Sequence, residues 1–361
     1  MPDRPLIVVE DDPFTRLIGI VLDPDSGPER QAAFADFMAH DEPDFDGWVT
    51  RLRERAGALY PATVKLVTSE EEMRQHLPAA TALVVESFNV TREDFESATH
   101  LKVIQKFGVT LRNIDVSGHA REGLKLLTLR RRANIACAES VFAMMLSLAR
   151  KVHQFANVVT TERLEAAGYP IRPFDRSHTP GGNYGRVGGL RMLNESTLGI
   201  IGMGEIGREV ALRAAAFGMR VLYHQRTRLH PVEERELSAH YAPLGALLRE
   251  SDVVVPQLPG GNATRGLIGC NELAQIKPGA FIVNVSNPHV VDRTALLEAL
   301  DDGRIGGFAL DPLYEEPMRE DDELLQYDNV LLLPHLGGSP RQNGLKDFED
   351  MIINMAREVA P

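Results

Sequence analysis

The chain has 361 residues, a length for which two domains are the natural expectation. Its 43% hydrophobic and 25% charged residues are ordinary for a soluble globular protein, and a net charge of −12 argues against nucleic acid or an anionic membrane as partner. The two cysteines, Cys137 and Cys270, share no paired spacing, which argues against a disulfide framework or a cysteine zinc site. The opening residues, Met1-Pro2-Asp3-Arg4-Pro5, lack the apolar run of a signal peptide, and no stretch reaches the length of a membrane span, so a cytoplasmic location is expected.

Leu6–Val9 reads as a first buried strand. An acidic segment from Asp41 to Asp46 precedes a helical stretch near Trp48–Ala58. Val64–Val67 is the next strand, Glu70–His76 the helix after it, and Ala82–Val85 and Leu101–Gln105 are further strands. Strands alternating with helical patterns predict a parallel sheet with helices on both faces. From Ala136 to about Val158 the pattern predicts one long helix, apolar on more than one side through Ala138, Val141, Phe142, Met144, Met145 and Leu148. Such a helix is either purely a core element, a bridge between domains, or part of a subunit interface. Residues 168–192, rich in glycine and proline, read as a linker.

The next element is the most informative. The apolar run Leu198-Gly199-Ile200-Ile201 leads directly into Gly202-Met203-Gly204-Glu205-Ile206-Gly207, then into a helical pattern, then into a second apolar strand, Arg220–His224. Strand, tight glycine turn and helix together set backbone N–H groups and a helix N-terminus against a diphosphate. Gly202 permits the turn, Gly204 lets the backbone approach the phosphates, and Gly207 lets the helix pack close to the strand. Further strands follow at Asp252–Val255, Phe281–Asn284, Gly307–Leu310 and Val330–Leu333, each with a helical stretch before it. These six strands compose a doubly wound dinucleotide-binding domain. Leu345 to Val359 has the apolar spacing of an amphipathic helix.

Taken in order, Thr197–Gly207, Thr264-Arg265-Gly266-Leu267-Ile268-Gly269, Lys277-Pro278-Gly279-Ala280 and Pro334-His335-Leu336-Gly337-Gly338 resemble the D-isomer-specific 2-hydroxyacid dehydrogenase family. The resemblance covers about residues 82 to 340. It implies an α/β fold of two Rossmann-like domains. A dinucleotide-binding domain, residues 135–334, is inserted into a discontinuous flavodoxin-like substrate domain, 1–134 plus 335–361. It also implies a cleft between the domains as the active site, a small-molecule substrate, and a homodimer formed through the helix beginning near Ala136.

Reducing a 2-keto acid needs a hydride donor at the carbonyl carbon, an acid for the oxygen, and a cation for the carboxylate. His335 is the acid–base candidate, since histidine titrates near neutral pH and this one follows a strand end at the carboxyl edge of the sheet. Glu316, in Asp311-Pro312-Leu313-Tyr314-Glu315-Glu316-Pro317, matches the family's Asp-x-x-x-x-Glu-Pro pattern and is the carboxylate that would fix the tautomer of that imidazole. Asp311 resembles the family position beside the nicotinamide, and a strand-end cap is the competing reading. The family's arginine is missing. Where Asn-x-x-Arg-Gly is expected, the sequence reads Asn284-Val285-Ser286-Asn287-Pro288, so Asn287 stands in its place. Losing a charged planar fork to a neutral amide costs on the order of 2–4 kcal/mol in the transition state.

Three readings of that change stay open. The substrate is another polar carbonyl recognised by Asn287 and His289; or a cation enters from the first domain, where Lys106 and Arg112 lie in a segment, Gln105–Arg112 with Gly108 and Val109, that resembles the family's substrate-binding glycine loop; or the protein binds a dinucleotide without net redox turnover. As to which dinucleotide, an acidic residue at the end of the second strand would mark NAD. Eighteen residues past Gly207 stands Gln225, followed by Arg226, Thr227 and Arg228. A neutral residue and two arginines suit a 2′-phosphate, so NADP is expected ahead of NAD.

Overall fold

The computed structural model describes residues 4–117 and 123–360. The chain folds as two units, one of Met1–Asn134 with Gly338–Pro361 and one of Ile135–Gly337. The second is therefore inserted into the first. Sequence places the return crossing at residue 335, and the chain returns three residues later. The N–H groups of Leu336 and Gly337 donate to the Asp311 carboxylate and hold that stretch, His335 included, in the second unit.

The first unit has five parallel strands, β1 (Leu6–Glu10), β2 (Thr63–Val67), β3 (Ala82–Val85), β4 (Val103–Lys106) and β5 (Lys125–Leu127), in the order β2-β1-β3-β4-β5. Strand β1 shows why an apolar run forms here. Ile7 and Val9 face one buried cluster and Val8 the other, so both faces are dry and the strand is apolar up to Glu10 at its end. Helix Gln342–Val359 buries Leu345, Phe348, Met351, Ile352, Met355 and Val359 against the first of these clusters, a three-four spacing that makes one apolar face. Arg132 donates to Asp347 (2.7 Å) and Asp350 (2.8 Å) on it, and Trp48 Nε1 to Glu349 (2.8 Å).

The second unit has seven parallel strands: β6 (Thr197–Ile201), β7 (Arg220–His224), β8 (Ala239–Tyr241), β9 (Val253–Pro256), β10 (Phe281–Asn284), β11 (Gly307–Leu310) and β12 (Val330–Leu332). Their order is β12-β11-β10-β9-β6-β7-β8. The order reverses between β6 and β9, the point at which doubly wound sheets bind ligands beyond the carboxyl ends of the strands. Two clusters again cover the two faces, with Leu198, Ile200, Val253 and Val255 on one and Ile201, Val254, Ile282 and Leu310 on the other.

Several expectations need correction. Strands β5 and β8 carry no sequence signal, being three residues each, Lys-Leu-Leu and Ala-His-Tyr, at sheet edges. Helices Arg16–Leu22 and Pro28–Met38 likewise join the elements predicted before Trp48. The long helix runs over Arg132–Arg150, ends at Lys151 with φ 54°, and resumes only as Val152–Phe155. Strand β12 is preceded by a 3₁₀ turn, Glu323–Gln326, rather than a full helix. Among the described residues no helix is long and apolar enough to cross a membrane.

Candidate active site

In the second unit the strands deliver their following loops to one edge. The ladder continues past the strand ends: Gly202 N–H donates to His224 O (2.8 Å), Gln257 N–H to Ile201 O (2.8 Å), Asp311 N–H to Asn284 O (2.9 Å) and Leu333 N–H to Leu310 O (3.1 Å). The glycine turn follows β6, Gln225 to Thr227 follow β7, Gln257 follows β9, Asn287 follows β10, Asp311 and Glu316 follow β11, and His335 follows β12. The same parallel register that buries the strands thus brings these residues to one edge.

The three glycines of the turn do different work. Gly202 has φ +100°, and a side chain on it would run into the Gln257 carbonyl oxygen. A side chain on Gly207 would run into the Gly202 carbonyl, so this glycine sets the closeness of helix and strand. Around Gly204 a methyl group would meet nothing within 4 Å. Helix Glu205–Ala216 starts there without a side-chain cap, which leaves its positive end toward that open space. Glu205 opens this helix, and Ile206 packs partly buried on the core. Gly207→Ala should therefore lower stability by about 1–3 kcal/mol. Gly204→Ala should leave the melting temperature unchanged and weaken dinucleotide binding. Thermal melts and binding titrations of the two variants separate these effects, and equal losses in both would contradict the assignment.

The loop after β7 is held by its own side chains. Gln225 accepts the N–H of Met203 in the glycine turn (3.2 Å) and donates to Thr227 O (2.6 Å). Arg226 and Thr227 are exposed. Arg228 is taken by Glu234, with Nε to Oε1 and Nη2 to Oε2 both at 2.8 Å. The arginine pair expected to serve a phosphate is therefore split.

His335 adopts φ 57°, in the left-handed region, so the chain turns sharply at this residue. Its Nδ1 lies 3.0 Å from Glu316 Oε2, and Glu316 Oε1 accepts the N–H of Leu313 (3.0 Å). The imidazole is 60% exposed, as a group that must meet a substrate requires. Partial burial raises the Glu316 carboxyl, but the hydrogen bonds from His335 and Leu313 outweigh it and leave the group below its ordinary value. Asp311 is 1% exposed, and its two oxygens accept the N–H groups of Leu336 (2.8 Å) and Gly337. This carboxylate ties down the loop that carries His335, as the strand-end cap of the competing reading would.

Asn287 heads the 3₁₀ turn Pro288–Val290, and its Oδ1 accepts the N–H of His289 (3.0 Å). Its amide nitrogen lies against Gly260, where a side chain would collide with it. Beneath it, fully buried Asn284 donates to the Asn287 carbonyl (3.1 Å) and accepts from Ser286 N–H (2.9 Å). The His289 ring meets Tyr314 edge-on at 5.8 Å.

Lys106, Gly108, Val109 and Arg112 stand in the first unit. Lys106 is buried and donates to the Glu86 carbonyl. Gly108 is buried at φ 147° and accepts the N–H of Leu129 (2.9 Å), whereas Val109 and Arg112 are exposed. The order in this unit reverses between β1 and β3, and there the sequence offers no forewarning of Glu10. Its buried carboxylate accepts the N–H groups of Glu86 (2.7 Å), Ser87 (2.8 Å) and Phe88 (3.0 Å) and the Ser87 hydroxyl. Burial pushes the Glu86 carboxyl above its ordinary value although Arg131 pairs with it at 2.7 Å.

Residues 142–337 match the family model described as "D-isomer specific 2-hydroxyacid dehydrogenase, NAD binding domain". A glyoxylate reductase of Korarchaeum cryptofilum is 35% identical over 266 residues, covering 74% of this chain and 75% of that protein. The chain belongs to the D-isomer specific 2-hydroxyacid dehydrogenase family. A second relative, the glyoxylate reductase of Pyrococcus horikoshii, is 36% identical over 253 residues, 70% of this chain and 72% of its own. Among solved structures, D-mandelate dehydrogenase of Rhodotorula graminis shares the fold with a TM-score of 0.55 at 22% identity, over 98% of this chain and 93% of that one.

This family member is an NAD(P)-dependent dehydrogenase acting on a CH–OH group, and its residues fit a nicotinamide dinucleotide. Beyond the open Gly204, two buried side-chain nitrogens lack a hydrogen-bond partner among the described residues, Arg208 Nε and Gln257 Nε2. Arg208 lies in the first turn of the helix after the glycine turn, and the Gln257 backbone abuts Gly202. Buried donors without acceptors are rare in native proteins, and an anionic or polar ligand seated here would satisfy them. Neither was foreseen in the sequence. The available signal was a glutamine directly after the wholly apolar strand β9.

Proposed function

We propose that this dehydrogenase reduces a small 2-keto acid or related polar carbonyl with NADPH, and oxidises the corresponding alcohol in reverse, with His335 as acid–base. The observation that carries the reading is the 3.0 Å contact of His335 Nδ1 with Glu316 at the carboxyl edge of the sheet. The nicotinamide cofactor, when bound, supplies or accepts the hydride. Gly202, Gly204, Glu205, Ile206 and Gly207 would hold its diphosphate, and Gln225, Arg226 and Thr227 its adenosine ribose. Glu316 takes the Nδ1–H bond and so fixes the tautomer, which leaves Nε2 as the atom that gives a proton to the forming alkoxide and takes it back in oxidation. Asp311 positions the His335 loop and does not exchange the proton.

The printed names of the relatives put glyoxylate first in a substrate panel. Steady consumption of NADPH with glyoxylate, hydroxypyruvate or a larger 2-keto acid supports the proposal. Asn287 favours a second reading, a dinucleotide-binding protein without net redox turnover. Tight cofactor binding with no turnover on any member of the panel would establish that one instead.

The preference for NADPH rests on Gln225 and Arg226, a neutral residue and an exposed cation where a carboxylate would repel the 2′-phosphate. Arg226→Ala should weaken NADPH binding about tenfold and leave NADH binding unchanged. Tighter binding of NADH than of NADPH by the unaltered protein would reverse the assignment.

The proposal includes a cytoplasmic homodimer. Val152 and Val159 past the end of helix Arg132–Arg150, and Leu190 and Met192 on either side of Arg191, whose N–H donates to Ala149 O on that helix, are exposed apolar groups that support a covered surface there, and sedimentation as a monomer would contradict it.

A further inference from the structure

The loop after β7 carries two arginines, and the fold treats them differently. Arg226 is exposed, and no hydrogen bond or ion pair engages its side chain among the described residues. Arg228 makes a two-pronged ion pair with Glu234, and its guanidinium lies 5.7 Å from the centre of the Tyr241 ring. Glu234 Oε1 also accepts the hydroxyl of Tyr223 (2.7 Å). Tyr223, on β7, is wholly buried, and its hydroxyl oxygen in turn accepts the N–H of Leu229 (2.9 Å). One carboxylate on helix Pro231–Glu236 thereby ties together strand, loop and helix. Nothing in the glycine motif or in the residue count to Gln225 requires this arrangement.

We propose that Glu234 is a specificity-determining residue: it withholds Arg228 from the cofactor and, with Tyr223, fixes loop 225–230 so that 2′-phosphate recognition falls on Arg226. To reach a phosphate, Arg228 would have to break two charge-assisted hydrogen bonds and leave the Glu234 carboxylate unpaired beside a dianion. The Glu234 side chain is only 12% exposed, so that charge would be poorly screened. The bonds from Arg228 and Tyr223 hold the Glu234 carboxyl down to about 2, so it stays ionised at physiological pH. Tyr223 acts as a positioning residue: its hydroxyl donates to Glu234 and accepts the N–H of Leu229 in the loop.

The inference rests on the NADPH reading, and its test separates the two. Dissociation constants for NADPH and NADH are measured by titration on the full chain at low and high salt. The variants are Arg228→Ala, Glu234→Gln, the Arg228→Ala/Glu234→Gln double variant, and Tyr223→Phe. Glu234→Gln keeps an acceptor for Tyr223 while releasing Arg228, and it should raise the preference for NADPH about three- to tenfold at low salt, with the gain shrinking at high salt. Arg228→Ala bares the carboxylate and should lower the preference. The double variant restores local neutrality and should return to within about twofold of the unaltered protein. Tyr223→Phe loosens the loop and should weaken both dinucleotides alike. Should Glu234→Gln leave the preference unchanged, Glu234 withholds nothing from the cofactor, and should the double variant stay as low as Arg228→Ala, Arg228 is itself a phosphate ligand; either result overturns the proposal. An unaltered protein that binds NADH more tightly ends the NADPH reading alone, because the Glu234→Gln shift is still read against it. Thermal melts of each variant identify any change that merely reflects unfolding.

Discussion

Replacing His335 by glutamine should lower kcat by about 10²–10⁴-fold on the best 2-keto acid while leaving NADPH binding unchanged. The reason is local. His335 is held from two sides, by the Glu316 carboxylate at Nδ1 and by the Asp311 carboxylate through the backbone that follows it. Glutamine keeps a polar side chain of similar reach but cannot exchange a proton near neutral pH. Asp311 still anchors the loop through backbone N–H groups that the substitution does not touch, so the cofactor-binding loops of β6 and β7 should keep their form. Glu316→Gln serves as the companion. It retains an oxygen for the Nδ1–H bond but loses the charge, so a smaller fall in kcat with a displaced acid limb of the pH profile is expected. The direction follows from the depressed Glu316 carboxyl: the paired state is complete above the ordinary carboxylate range and is lost as pH falls through the lowered value. Single-turnover measurements of NADPH consumption are the readout, and full activity in the His335 variant would remove it from the reaction.

Replacing Asn287 by arginine should raise kcat/KM on glyoxylate or hydroxypyruvate by about 30- to 1000-fold, the equivalent of 2–4 kcal/mol of transition-state stabilisation. The structure makes this a fair trial of the missing cation, because much of the loop is held by groups other than the Asn287 side chain. Asn284, buried beneath it, holds the backbone at Asn287 and Ser286, and the Ser286 hydroxyl donates to Pro256 O (3.1 Å). What the change removes is the cap on His289 N–H, worth about 0.5–2 kcal/mol. Gly260, against which the present amide lies, offers no side chain to pair with or obstruct the longer group. A folded variant with no gain on either substrate would show that substrate recognition differs from the family pattern by more than one residue, and would favour a different polar carbonyl.

Much of the fold was legible because its physics is local in sequence. Strands buried on both faces are built from apolar runs, so β1, β3, β9, β10 and β11 stand out without any knowledge of their neighbours, and the polar Glu10 and Asn284 fall only at the strand ends. Short edge strands such as β5 and β8 escape because partners, rather than composition, make them strands. Helix Arg132–Arg150 was legible in kind but not in extent. Its end is a left-handed turn at Lys151, a residue with no intrinsic tendency to stop a helix.

At the site, the sequence by itself determined the chemical inventory: a glycine turn after an apolar strand, a histidine between a proline and two glycines, an acid in an Asp-x-x-x-x-Glu-Pro pattern, and an asparagine where an arginine belongs. Residue type and spacing suffice for these because each rests on backbone geometry or on an irreplaceable functional group. Only the tertiary structure decided which of these groups are already engaged. Asp311 secures the loop of His335, Gln225 bridges the glycine turn to the following loop, Arg228 belongs to Glu234, and Gln257 Nε2 and Arg208 Nε are buried donors without acceptors among the described residues. The Asp311 and Gln225 engagements form between loops that separate strands bring to one edge of a sheet, whereas Arg228 meets Glu234 within the stretch after β7. Hydrogen bonds only a few ångströms long, between loops or within one, leave no period or motif in the sequence between their partners.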